Sequence, residues 1–290
     1  MNGHWAFPAS RRARFALVTG HFTTIRYGVD GSVATVTLAR PDAANAQSTQ
    51  LLDELDRALD LALADDAVRV LVLAADGDHF SAGHDLKELW TGDLAEARST
   101  AEGKLRHEQE MYFDRCLRLR DFRKPTIAAV QGRCVAAGMM LAAMCDLIVA
   151  ADDAEFSNPV LRMTGAGVEL LVEPWELGAR KAKEFLLCAT TLDATEAARL
   201  GLVNRVVART ELADATRAMA AQVAKVPPIT AEMVKDSINR TLDRQGQLDS
   251  WRYHFMVHQF VSNTDTALRA AESRASGGMS AARSEQTDDE

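Results

Sequence analysis

Nothing in the 290-residue chain resembles a membrane span: no uninterrupted apolar run approaches the roughly 20 residues that crossing a bilayer takes. Basic charge is also in deficit, with 33 Lys and Arg against 41 Asp and Glu and a formal net charge of −8. That balance excludes a nucleic-acid surface, which needs a basic footprint, but leaves room for a local cationic cluster around an anionic ligand. Cysteine is scarce. Cys116, Cys134, Cys145 and Cys188 form no CxxC pair and have no zinc-type His spacing, so buried reduced thiols are expected and no metal site. Arg11, Arg12 and Arg14 near the start are not followed by an apolar stretch of signal-peptide length, which points to a flexible leader and a cytoplasmic protein. No solenoid-length repeat and no low-complexity linker interrupt the chain.

Strands and helices alternate over the first two thirds. Thr23–Arg26 and Val33–Leu38 read as strands around an Asp30-Gly31 turn. Leu51, Leu52, Leu55, Leu59 and Leu63 recur at helical spacing within Ser48–Ala64, with Asp53 and Glu54 early enough to meet the helix dipole. Val68–Ala75 is apolar at nearly every position, as a strand covered on both faces should be. Asp85–Trp90 begins a helix, and Ala95–Leu119 reads as a polar one. Thr126–Val130 and Asp146–Ala151 are further strands flanking a helix at Ala137–Met144. This order indicates βαβ crossovers and a mainly parallel sheet. Beyond Pro159 the pattern turns helical: Glu169–Leu187, Thr195–Leu200, Glu211–Ala224, Pro228–Leu242 and Gln247–Ser273, with one strand at Asn204–Val207. The expected organisation is an N-terminal extension over residues 1–22, an α/β core over 23–208, a helical region over 209–274 and a disordered tail over 275–290.

Two segments share one design, an apolar strand, a tight loop of small residues, then a helix. They are VRVLVLAADGDHFSAGHDLKEL and PTIAAVQGRCVAAGMMLAAMCDLIVA. Ligands of parallel sheets bind beyond the carboxyl ends of the strands. Two helix N-termini aimed at one point there present free N–H groups, the makings of an oxyanion hole. Ala82, Gly83, Ala136, Ala137 and Gly138 are small enough to let a ligand reach the backbone. Ser81 lies in no GxSxG elbow, which speaks against a serine hydrolase.

These residues carry a resemblance. RPDAANA (40–46), FSAGHDLKEL (80–89) and AAVQGRCVAAGMMLAAMCDLIVAADDAEF (128–156) resemble the enoyl-CoA hydratase/isomerase, or crotonase, superfamily. DATEAARLGLVNRVV (193–207) and VPPITAEMVKDSI (226–238) are similar to later stretches of it. The resemblance implies an α/β fold of the crotonase (ClpP/crotonase) kind, a spiral of ββα units with a helical C-terminal trimerisation region. It implies a homotrimer or a dimer of trimers and an acyl-CoA thioester as substrate. No cofactor is implied beyond the coenzyme A of the substrate itself, and neither a nucleic acid nor a membrane is an expected partner. The oxyanion-hole donors carry over onto the backbone N–H groups of His84 and Ala137. The substrate-binding positions carry over onto Ala44, Ala46, Ala82, Asp85 and Leu86.

The resemblance also marks departures. The two glutamates with which hydratases handle water fall on Met140 and Val160, positions that would line the acyl pocket, and a nearby glycine falls on Thr164. Ordinary hydration is therefore not expected, since each acid–base group is worth roughly 10²–10⁴-fold. Three alternatives remain: a lyase or isomerase with Glu169 as its acid–base group, a decarboxylase that uses His84, or an acyl-CoA binder without turnover. Methylmalonyl-CoA decarboxylases of the superfamily resemble the FSAGHD loop, but their tyrosine falls near Ala166. The plainer expectation places the His84 side chain in solvent, and Glu169 and Glu173 in an acidic first helical turn. Asp85 reads as a helix cap. Arg133, Lys235 and Arg252 are candidates for a CoA phosphate.

Overall fold

The computed structural model describes residues 21–163 and 165–277. Most of the leader, Thr164 and all but the first residues of the acidic tail lie outside that range. Among the described residues, nine strands form two sheets. β1 (Ile25–Asp30), β2 (Val33–Leu38), β3 (Val70–Ala75), β4 (Thr126–Val130), β6 (Leu147–Ala151) and β9 (Arg205–Val207) lie side by side in that order. β1 pairs antiparallel with β2, and every later pairing in this sheet is parallel. A small sheet of β5 (Arg133–Val135), β7 (Glu155–Ser157) and β8 (Thr191–Asp193) stands beside it.

Sequence periodicity explains the layering. All six residues of β3 and all five of β4 are buried, because helices cover both faces of the sheet. Leu71, Leu73, Ala128 and Val130 point into the larger core with Leu51, Leu55 and Leu59 of helix Thr49–Ala64. The alternate residues Val70, Val72, Ile127 and Ala129 pack on the other face against helix Leu212–Val223. Ser48 caps helix Thr49–Ala64 by accepting a hydrogen bond from the Leu51 N–H at 3.2 Å. Glu54 does not simply face the dipole. It is buried and accepts hydrogen bonds from the Thr23 and Thr24 amides at 2.9 and 2.8 Å, which fastens the start of the described chain.

Several expected boundaries move. The first strand starts at Ile25, and the hairpin turns at Gly31 and Ser32, one residue later than expected. The polar stretch after Ala95 is no single helix. It consists of Gly92–Ala97, Ala101–Glu108, a π-helical turn at Gln109–Phe113, and Asp114–Arg120. The stretch from Glu169 to Leu187 is also broken: helices Glu173–Glu176 and Ala179–Leu187 meet at Gly178, whose φ of 76° suits glycine. The C-terminal region is helical as expected, with Pro228–Arg244, Gln247–Ser262 and Asp265–Gly277 following Leu212–Val223. The last of these runs past 274 into the segment expected to be disordered. Among the described residues, no helix is long and apolar enough to cross a membrane. Three cysteines are buried, but Cys188 is exposed, contrary to the expectation for all four.

Candidate functional site

The two small-residue loops lie against one another in register. Ser81 and Cys134 form a parallel bridge, with the Ser81 N–H donating to Arg133 O at 3.2 Å and the Val135 N–H to Ser81 O at 2.9 Å. Glycine makes this approach possible. A Cβ on Gly138 would stand 2.5 Å from Ser81 O, and one on Gly83 would stand 2.9 Å from Val135 O and 3.2 Å from Ala137 N.

A third strand of chain turns the first loop. The Gln47 N–H donates to Gly83 O at 2.7 Å, and the Asp85 N–H donates to Gln47 O at 3.1 Å. In a parallel bridge these groups share one side, so the N–H of the intervening His84 faces the other way. On the second loop, Ala136 takes φ 49° and ψ −113°, a conformation that strains any residue with a Cβ. Ala137 then starts a helix, where its N–H has no carbonyl behind it. Neither N–H has a hydrogen-bond acceptor among the described residues. His84 and Ala137 line one cavity of about 210 Å³.

The RPDAANA loop acts as a brace. Ala44 and Asn45 have φ of 47° and 52°, and the buried Asn45 amide donates to Asp76 O and His79 O at 2.9 Å each and accepts from the Arg40 N–H at 2.9 Å. The Arg40 side chain reaches Ala46 O and pairs with Asp85 at 2.8 Å, while Asp85 also accepts from the Glu88 N–H.

A buried polar cluster starts at the first loop itself, with His84. The His84 ring is not in solvent; its side chain is 12% exposed and stacks on Tyr112 with centroids 3.8 Å apart. Its Nε2 lies 3.5 Å from Glu169 Oε2, and neither atom has a hydrogen-bond partner among the described residues. Glu169 is 2% exposed and sits outside any helix, on the irregular turn before Glu173–Glu176, so the acidic-first-turn expectation does not hold for it. Its Oε1 lies 4.0 Å from His258 Nε2. His258 also meets Glu108 through Nε2 and Gly167 O through Nδ1, both at 3.1 Å. Arg98 and Gln259 hold the rest of the Glu108 carboxylate.

The electrostatics follow from this packing. Both His258 nitrogens face oxygens, an arrangement that a ring protonated on both nitrogens satisfies. Burial opposes that charge, but the Glu108 hydrogen bond and nearby Glu169 outweigh it and raise the His258 pKa. Burial also works against the Glu108 charge, yet His258 and Arg98 hold its carboxyl well below the usual range. Burial pushes the Glu169 pKa up to about 7, with His258 pulling against it. Burial holds the His84 pKa down to about 3, leaving the ring neutral. One carboxyl in the cavity is thus tuned to exchange its proton near neutrality, the condition a general acid–base group requires. Donor atoms of Glu108, Glu169 and His258 fall within 4.8 Å of one another, a spacing compatible with a metal cage. Arg98 and the His258 protons, however, already satisfy Glu108.

The cavity brings together Ala82, His84, Leu86, Ala137, Val160 and Glu169. Ala44, Ala46 and Asp85 do not line it; they hold the brace. Met140 is 1% exposed and faces a small adjoining cavity with Gln47, Tyr112 and Cys116. Glu173 accepts a hydrogen bond from Asn158 at 2.7 Å, away from the cavity. Lys235, a candidate for phosphate, is 9% exposed and paired to Asp146 at 2.9 Å. Sequence reading missed Arg98, Lys104, Glu108, Tyr112 and His258. The one available signal was the spacing of Trp251, His254, Phe255 and His258, which places two histidines on the apolar face of one helix. A larger cavity of about 480 Å³ adjoins helix Pro228–Arg244, but neither loop opens into it.

Comparison with known proteins agrees with this architecture. Residues 28–275 match the family model described as enoyl-CoA hydratase/isomerase. EchA13 of Mycobacterium tuberculosis, which bears an enoyl-CoA hydratase name, is 41% identical over 270 residues, covering 86% of this chain and 82% of its own. A 4-chlorobenzoyl coenzyme A dehalogenase from Arthrobacter is 35% identical over 210 residues, 71% of this chain and 74% of its own. The crystal structure of an enoyl-CoA hydratase/isomerase from Xanthobacter autotrophicus Py2 superposes with a TM-score of 0.83 at 31% identity, covering 92% of this chain and 98% of that one. The chain belongs to the enoyl-CoA hydratase/isomerase family.

Proposed function

We propose that the protein binds an acyl-CoA thioester with its carbonyl oxygen between the N–H groups of His84 and Ala137, and that Glu169 moves a proton at the carbon next to that carbonyl. The observation that carries this reading is a nearly fully buried carboxyl, free at Oε2, in the same cavity as two unpaired amides. Loss of an α-proton places negative charge on the thioester oxygen. Two prealigned donors stabilise that charge by about 3 kcal/mol each, and more strongly there than on the neutral carbonyl. Glu169 takes the proton in its ionised form and returns it in its neutral form. A pKa of about 7 keeps both forms populated. His84 contributes its backbone N–H, while its neutral ring walls Glu169 on one side. Met140 and Val160 supply no acid or base, so this reading is a lyase or isomerase built on enolate chemistry rather than a water-adding hydratase. The apolar face of helix Pro228–Arg244, with Ile229, Met233 and Ile238 exposed, fits contact with other copies in a trimer.

Deuterium uptake at the α-carbon of a saturated acyl-CoA in D₂O tests this without knowledge of the final product. Wild-type protein should catalyse the exchange. Glu169→Gln should slow it about 10²-fold or more while still binding the ligand. Exchange that survives Glu169→Gln unchanged refutes the assignment. Tight binding without exchange in the wild type would instead indicate an acyl-CoA-binding protein without turnover.

A further inference from the structure

The inner wall of the cavity carries more positive charge than its own carboxylates neutralise. Arg98 spends Nη2 on Glu108 Oε1 at 2.8 Å, while its Nη1 is buried without a partner among the described residues. Lys104 lines the same cavity, and among the described residues its ammonium donates only to the Ser262 carbonyl, at 3.4 Å. His258, with an oxygen at each ring nitrogen and Glu108 and Glu169 beside it, is the third cationic group. Against these three cations stand Glu108, fully engaged by Arg98, His258 and Gln259, and Glu169. His84 stacks on Tyr112 and His107 meets the same ring edge-on; Glu88 and Glu110 also act on His107, but neither lines the cavity, and Glu88 accepts the Thr49 N–H. Burial lowers the Lys104 pKa, a cost that an anion beside it would offset.

From this imbalance we infer that the acyl group taken by the site ends in a carboxylate, which docks on Arg98 and Lys104 within the cavity that the two loops line. The inference rests on the acyl-CoA reading above and specifies its substrate class. A guanidinium edge with a free N–H matches a carboxylate oxygen, and the lysine adds a point charge. Leu89 and Trp90 line the same cavity, so an acyl chain ending in methyl would leave Arg98 Nη1 and the Lys104 ammonium without an anion there. The phosphates of coenzyme A are the other source of anionic oxygen. A cavity of about 210 Å³ accommodates an acyl chain rather than the nucleotide, which favours the acyl carboxylate.

The test is calorimetric titration of the full-length protein with glutaryl-CoA and valeryl-CoA, which share every phosphate and differ only in the terminal carboxylate. Free coenzyme A serves as the third ligand. The expected result is tighter binding of glutaryl-CoA by about tenfold or more, the range of one or two hydrogen bonds to a charged group. Lys104→Met, which leaves the Arg98–Glu108 pair in place, should erase most of that preference while valeryl-CoA binding changes little. Equal affinities in the wild type overturn the inference. So does a Lys104→Met protein that loses affinity for all three ligands alike, since the lysine would then serve a phosphate. Failure of every acyl-CoA to bind would remove the acyl-CoA reading itself, and this inference with it.

Discussion

Replacing Glu169 with glutamine should stabilise the protein above neutrality and leave it nearly unchanged in acid. The carboxyl has an ordinary value of 4.5 and rises to about 7 in the folded chain, chiefly through burial. Between those two values the unfolded chain has released the proton while the folded chain retains it. Raising the pH through that window therefore favours unfolding, and stability levels off above 7. The span corresponds to about 3 kcal/mol. Glutamine cannot ionise, so the variant lacks this decline. His84 works in the opposite direction: its folded value near 3 lies below the ordinary 6.5, so its contribution is present above 6.5 and is lost as the pH falls. Both proteins keep His84, so its contribution cancels in the comparison, and Glu108 continues to hold His258 in the variant. Urea midpoints at pH 5, 6, 7 and 8, at one fixed protein concentration, read the difference directly. An advantage of the variant that grows by about 3 kcal/mol from acid to neutral pH is expected. A constant offset across the series would mean that Glu169 titrates as it does in water, and the acid–base argument would fall with it.

Gly138→Ala places a methyl 2.5 Å from Ser81 O, so it should cost about 1–3 kcal/mol in urea unfolding and weaken acyl-CoA binding by parting the two loops; unaltered stability and binding would show that the loops need no such contact. Cys188 alone should react quickly with a thiol reagent in the native protein, and all four cysteines in denaturant, because burial covers Cys116, Cys134 and Cys145 and pushes their pKa values up.

The sheet was legible because its strands are covered on both faces: runs such as VLVLAA admit few other readings. The two loops were legible because glycine and alanine crowd where backbone must meet backbone. The polar cluster was not. Glu108 and His258 are separated by 150 residues and touch only because the C-terminal helix Gln247–Ser262 folds over the π-helical turn at Gln109–Phe113. Arg98 and Glu108 lie in a stretch whose charges read as a solvated helix face. What buries them is tertiary packing, which local pattern does not encode. Glu169 was singled out, but its surroundings were misread, since the helix expected to hold it starts four residues later at Glu173. Likewise the carry-over placed Met140 in the acyl pocket, whereas helix Ala137–Ala143 turns that side chain toward Tyr112.

A crystal structure of the protein with a bound non-hydrolysable acyl-CoA thioether ketone, which keeps the carbonyl, tests the central claim most directly. The carbonyl oxygen should lie about 3 Å from both His84 N and Ala137 N, with Glu169 against the adjacent carbon. A carbonyl oxygen that meets neither amide, or a ligand seated in the larger cavity beside helix Pro228–Arg244, would contradict it.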